Sequence, residues 1–304
     1  MATTTWREVL AAQLDFYWEV HLWPRLEGLT DEEYLWEPVD GSWSLRPGPD
    51  GAPVLEHVAV EPPIPPVTTF AWRAAHVGRD VLGKRARAVF GHTEAPPDAD
   101  MYDDRHWPEP LPLTAAGALA MLQQGYTEWR DGVAALDDEA LLRPIGPVGG
   151  PYAEDTVAAL VAHINREVMA HGAELCLLRD LYRAYRDRQD PLVAAALAGR
   201  ADDVARALAG GATGRPSLVR EVAGLQHWDV LRLLVENGHD PSQGSPSALH
   251  YAAAAGASDA VRVLLAHGAD RTATDPEWGL PPSGWARFFG HHEVEQLLTE
   301  PVDN

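Results

Sequence analysis

Apolar residues recur at helical spacing from Trp6 to about Leu26 (Val9, Leu10, Leu14, Phe16, Tyr17, Val20, Leu22 and Trp23), and Pro24 and Gly28 close the segment. Thr30 followed by Asp31, Glu32 and Glu33 reads as a helix start ahead of Tyr34, Leu35 and Trp36. Residues 37–67 hold many Pro and Gly and little periodicity. They predict a long loop across one face, with short strand-like pieces around Trp43–Leu45. A second helix begins at Thr68 or Thr69 and runs through Phe70, Trp72, His76 and Val81 to about Phe90. Residues 91–113 form a Pro-rich, acidic connection (EAPPDAD, HWPEPLP). Thr114 then caps a third helix with the stripe Ala118, Leu119, Leu122, Tyr126, Trp129, Val133 and Leu136. A loop over 137–153 leads to a fourth helix, Glu154–Arg186. Four long helices with long links predict an all-α fold whose first part is a four-helix bundle, an architecture that places metal sites in its core.

The fourth helix carries a polar series, His163, Glu167, His171 and Glu174, at steps of four, four and three residues. All four side chains therefore lie along one face. A carboxylate and an imidazole at i, i+4 can grip one metal ion, and the same pattern also describes a solvated or hydrogen-bonded polar face. Helix rise separates the Cα atoms of His163 and His171 by about 12 Å, too far for one ion. Any metal site on this helix includes Glu167, with either His163 or His171. Taken alone, His76 reads as a hydrogen-bonded core histidine. Glu174 either orients a ligand imidazole or pairs with Arg179 or another nearby arginine. Cys176 lies off the polar face and reads as a buried thiol rather than a nucleophile.

After Arg188 the pattern changes. Residues 216–240 (PSLVREVAGLQHWDVLRLLVENGHD) and 246–270 (PSALHYAAAAGASDAVRVLLAHGAD) are one unit offset by 30. A divergent copy starts at Pro191 (PLVAAALAGRADDVARALAGGA) and a last one at Pro281 (PPSGWARFFGHHEVEQLLTE). The spacing, the paired short helices and the SALHYAAAAG motif resemble ankyrin repeats, which stack into an α-solenoid. Two domains follow, 1–188 and 189–304, the second with about four repeats. The resemblance implies that His250 is structural, bonding neighbouring repeat loops, and that His291 and His292 open a helix.

Composition removes whole classes of function. The net charge of −21 repels phosphate backbones, which argues against nucleic acid as a partner. No run of about 18 apolar residues predicts a membrane span, and MATTTWREVLAAQ lacks the basic start and apolar run of a signal peptide. With the single cysteine, these features predict a reducing, cytoplasmic setting. Eight of the eleven tryptophans precede residue 130, so the bundle's core or pocket is rich in large aromatics. Neither a GxSxG elbow, an HExxH pair nor a phosphate loop is present.

The phrases LTDEEYLWEP, GSWSLR, TTFAWRAAHV, YTEWRDGV and HINREVMAHGAELCLLRDLY occur in an order that resembles the DinB superfamily over residues 5–188. That resemblance implies a divalent metal held by one residue of the second helix and two of the fourth. On this sequence they fall on His76, Glu167 and His171. Many members have three histidines, and Glu167 departs from that pattern. Two imidazoles and a carboxylate suit Zn²⁺, Ni²⁺ or Fe²⁺. His163 and Glu174 become neighbours that support the ligands. Several relatives are transferases or isomerases dependent on mycothiol, bacillithiol or glutathione. The implied function is thus a metal-dependent thiol S-transferase, with mycothiol the first thiol expected and the catalytic residues unassigned. The alternative is a non-catalytic scaffold or stress-response protein with a vestigial metal site. In either case the repeats imply an unidentified protein partner, or packing on the bundle or in a homodimer.

Overall fold

The computed structural model describes residues 4–58, 62–91, 95–96 and 98–300. The chain divides into two compact units, Met1–Arg183 and Ala184–Asn304.

Threonine sets the start of each long helix in the first unit. Thr5 accepts from Glu8 N while Glu8 reaches back to Thr5 N, a reciprocal cap at the head of Trp6–Phe16. Thr69 accepts from Trp72 N, Thr114 from Gly117 N and Thr156 from Ala159 N, each at 3.2 Å. The first bundle helix continues from Trp6–Phe16 through a π-helical stretch, Tyr17–Leu22, into Trp23–Leu26. The second runs Phe70–Ala75, then a π-helical stretch His76–Lys84, then Arg85–Phe90. The third spans Ala115–Ala134 and the fourth Val157–Gln189. A short helix, Asp31–Leu35, is tied to the fourth helix by a buried pair, Arg179 Nε to Glu33 Oε1 at 2.7 Å.

The fourth helix starts at Val157 rather than at Glu154. Asp155 and Thr156 stay outside it because Ile145 N donates to the Asp155 carbonyl (2.8 Å) and Thr156 bridges to Pro144, which holds the backbone extended. The 37–67 loop does carry strands, Leu45–Pro47 paired antiparallel with Pro53–Leu55. Trp43 and Thr68 form a further bridge that returns the loop to the head of the second helix. The connection expected over 91–113 lies partly outside the described residues.

The bundle core is built on Trp18, Leu22, Phe70, Leu82, Leu122, Trp129, Ile164 and Leu175. Trp18 stacks on Tyr126 with ring centroids 4.3 Å apart. The second and third helices meet through glycines. A Cβ on Gly125 would lie 2.3 Å from the Gly78 carbonyl oxygen, inside the π-helical stretch. Short π-helical departures carry side chains out of the ordinary helical register and gather at functional sites. Here one begins at His76.

In the second unit four helix pairs stack in register: Pro191–Leu197 with Ala201–Ala209, Leu218–Gly224 with Trp228–Glu236, Ala248–Ala254 with Ser258–Ala266, and Pro282–Phe288 with His292–Thr299. Their apolar faces share one core that includes Leu192, Val222, Leu234, Leu249, Val261 and Leu298. Histidines strap adjacent pairs. His227 Nε2 lies 3.2 Å from the Leu197 carbonyl, and His291 Nε2 3.0 Å from that of Ala254. His250 takes the structural position expected of it, with Nε2 3.1 Å from the Leu280 carbonyl. Among the described residues no helix is long and apolar enough to cross a membrane.

Candidate metal centre

His76 is fixed from two sides. Trp72, one turn earlier, stacks on its ring at 5.5 Å and 19°. His171 meets it edge-on at 4.8 Å and 80°. Glu167 and His171 project one turn apart from the fourth helix, with Glu167 Oε2 3.2 Å from His171 Nε2. The donor atoms of His76, Glu167 and His171 all lie within 4.8 Å of one another, and no other group of three His, Cys, Asp or Glu does so among the described residues.

A model described as DinB superfamily matches residues 55–175, and one described as Ankyrin repeats (many copies) matches 234–279. The chain carries a DinB superfamily domain followed by ankyrin repeats. All three clustered residues fall inside the DinB match.

The electrostatics of the DinB site favour free donor atoms. Burial, reinforced by His171, Arg73 and Arg85 and opposed by Asp80, pushes His76 down from the ordinary histidine range to about 3. Its ring is therefore neutral near pH 7, with a lone pair to offer. On His171, Nδ1 lies 2.9 Å from Glu174 Oε2. Glu174 is fixed in turn by Arg73 Nε at 2.7 Å, and the Arg73 Nη1 lies 3.2 Å from the same Nδ1. We assign the Nδ1 proton to the Glu174 contact, since a carboxylate accepts and a guanidinium does not. That tautomer turns the Nε2 lone pair toward Glu167. Two lone-pair atoms at 3.2 Å repel unless a cation or proton lies between them, so the donor set fits a divalent ion.

Glu174 thus both orients the ligand-type imidazole and pairs with an arginine. The arginine is Arg73 rather than Arg179, which is committed to Glu33. His163 lies apart from the cluster. Its Nδ1 is 3.7 Å from Glu167 Oε1 and 2.8 Å from Arg166 Nη2. Burial, opposed by Glu167 and reinforced by Arg166 and Arg85, keeps it below the usual histidine range. It lines a cavity of 370 Å³ with Tyr152 and Asp155. His76 instead opens on a cavity of 620 Å³, walled by Trp72 and Tyr102, by Leu55 and His57 of the long loop, and by Arg79, Asp80, Lys84 and Arg85. Tyr102 belongs to both walls. His21 packs on Phe16 at 5.3 Å and is not part of the site. Cys176 is half-buried, and burial raises its thiol above the usual range, which does not favour a nucleophile.

Arg73 and Arg85 were not legible in the sequence as parts of the site. Their only signal is position, three residues before and nine after His76 on one helix.

Proposed function

We propose that the bundle is a divalent-metal enzyme of the thiol S-transferase or isomerase kind, with the repeats as its protein-binding module. The observation that supports it is the His76–Glu167–His171 donor set beside the 620 Å³ cavity. Three protein ligands leave coordination positions for a small molecule, as in catalytic rather than structural sites. Zn²⁺, Ni²⁺ or Fe²⁺ suits two imidazoles and a carboxylate. Such an ion, when bound, withdraws charge from a thiol and keeps it as thiolate near neutral pH.

The chain's own residues do the remaining work. Burial keeps His76 neutral, and Trp72, stacked on its ring, fixes the direction of its lone pair. Glu167 supplies the negative charge that strengthens cation binding. Glu174, anchored by Arg73, holds the His171 ring in one orientation and one tautomer. Trp72, Leu55 and Tyr102 give the cavity aromatic and aliphatic walls that shield a thiolate from water.

The test is metal analysis of purified protein and of His171→Ala, followed by mass-spectrometric detection of adducts formed from mycothiol, bacillithiol or glutathione with an electrophile. About one equivalent of metal, lost in the variant, and a metal-dependent adduct support the reading. Equal metal content in both proteins sinks it. A second reading, a scaffold that acts through its repeats, draws on the exposed aromatics Trp278, Phe288 and Phe289 of the last repeat.

A further inference from the structure

The cavity beside His76 is lined by three cations, Arg79, Lys84 and Arg85, and three carboxylates, Asp80, Asp104 and Glu109, but their contacts leave one cation without a carboxylate partner. Asp80 Oδ1 lies 2.9 Å from both Arg79 Nε and Lys84 Nζ, and Lys84 also meets Asp104 at 2.9 Å. These two cations and two carboxylates neutralise one another. Glu109, on the same wall, turns away to Arg87 at 2.8 Å, a guanidinium it shares with Glu128. Arg85 is left over. It is only 8% exposed, it lines the cavity, and it meets no carboxylate among the described residues. Its guanidinium lies 4.9 Å over the Tyr102 ring, and Nη1 donates to the Asp80 carbonyl. Nε is buried without a hydrogen-bond partner, and Nη2 donates to nothing among the described residues.

A buried guanidinium without a counter-ion is costly, and one carbonyl and one ring face offset only part of that cost. Nε with Nη2 is the edge that takes a carboxylate side-on through two parallel hydrogen bonds. Nη2 is its accessible half, and Nε, closed in this structure, joins only with a shift of the side chain. We propose that the molecule bound in this cavity carries a carboxylate held by Arg85, while the rest of the same molecule reaches the His76–Glu167–His171 donors. The second clause rests on the metal reading above, and the first does not. If the carboxylate belongs to the thiol, glutathione or bacillithiol fits and mycothiol, which has none, does not. If the thiol is mycothiol, the carboxylate belongs to the electrophile.

Calorimetric titration of the full-length chain, zinc-loaded and metal-free, with succinate, glutathione and glutathione diethyl ester tests this. At least one of the two acids binds the wild type. Arg85→Met weakens that binding at least tenfold, and Arg85→Lys restores part of it. Glutathione favoured over its diester puts the carboxylate on the thiol, and binding of succinate alone puts it on the electrophile. Binding unchanged in Arg85→Met, or neither acid bound by the wild type, overturns the proposal. The metal-free arm separates the two readings, because Arg85 is no metal ligand and carboxylate binding there survives a failure of the metal site. Without ligand, Arg85→Met unfolds at the same or a higher temperature than wild type. A clear drop in that temperature makes Arg85 a structural residue and also overturns the proposal.

Discussion

Arg73 Nε and Glu174 Oε2 lie 2.7 Å apart across two helices, and the same carboxylate oxygen is 2.9 Å from His171 Nδ1. The second helix therefore steers an imidazole of the fourth through a carboxylate that touches both. Removing the negative charge with Glu174→Gln leaves the ligands in place but loosens the ring. Partners of this kind typically change metal affinity about 10–100-fold. Competition against a chromophoric chelator reads the change, and wild-type affinity in Glu174→Gln would remove Glu174 from the site.

Gly125 of the third helix lies against the backbone of the second, with its absent Cβ 2.3 Å from the Gly78 carbonyl oxygen. Gly125→Ala gains helix propensity in isolation but must push a backbone aside. Overpacking of this sort costs about 1–3 kcal/mol. The expected result is a lower denaturation midpoint with reduced metal uptake, since Gly78 follows His76 by two residues. A stabilised variant would contradict the close approach.

In the repeats Gly199, Gly256 and Gly290 each adopt a left-handed conformation before the second helix of their pair, with φ of 68°, 66° and 80°. Gln226 takes the same conformation at the matching position, with φ 61°. A side chain there costs about 1–2 kcal/mol, partly offset by the greater freedom glycine loses on folding. Gln226→Gly therefore stabilises the repeats by a few tenths to about 1 kcal/mol. Urea unfolding followed by tryptophan fluorescence measures it, and a loss of stability counts against the assignment.

Asp275 is buried and accepts from Glu277 N (2.9 Å), Trp278 N (2.6 Å), Leu280 N (2.9 Å) and Trp285 Nε1 (2.9 Å). Burial alone would raise its carboxyl, but the four donors outweigh burial and lower it from 3.8 to about 2. A depressed carboxyl contributes stability above its unfolded value, and that contribution is lost as pH falls through the folded one. The last repeat accordingly holds its stability from neutral pH down to about pH 4 and loses the Asp275 share between about pH 4 and pH 2. Asp275→Asn removes that acid-side step in circular dichroism melts, and an unchanged pH profile would exclude Asp275 as its source.

Periodicity and capping chemistry carried most of the architecture. Thr5, Thr69 and Thr114 stand where apolar stripes begin, and each one caps a helix. The repeats were legible because each must present the same apolar face to the next, so Leu234 and Leu264 recur 30 residues apart and share one core. The fourth helix was read three residues too early because Glu154 and Asp155 are good first-turn residues locally. The turn closed by Asp155 N to the Tyr152 carbonyl, the bond from Ile145 N to the Asp155 carbonyl and the bridge of Thr156 to Pro144 keep them out of the helix.

Within the candidate site, the sequence by itself determined that any metal site on the fourth helix includes Glu167. The fixed rise of a helix keeps His163 and His171 from sharing an ion, whatever surrounds them. Spacing alone left open which histidine faces the second helix, because it says nothing about a partner from elsewhere in the chain, and only the resemblance to the DinB superfamily pointed to His171. The tertiary structure supplies the geometry, setting His76 edge-on to His171 and leaving His163 on another cavity. It also decided the roles of Arg73 and Arg85. Both are ordinary basic residues on a helix until burial removes their water, and only then does the identity of each counter-charge, or its absence, acquire consequences.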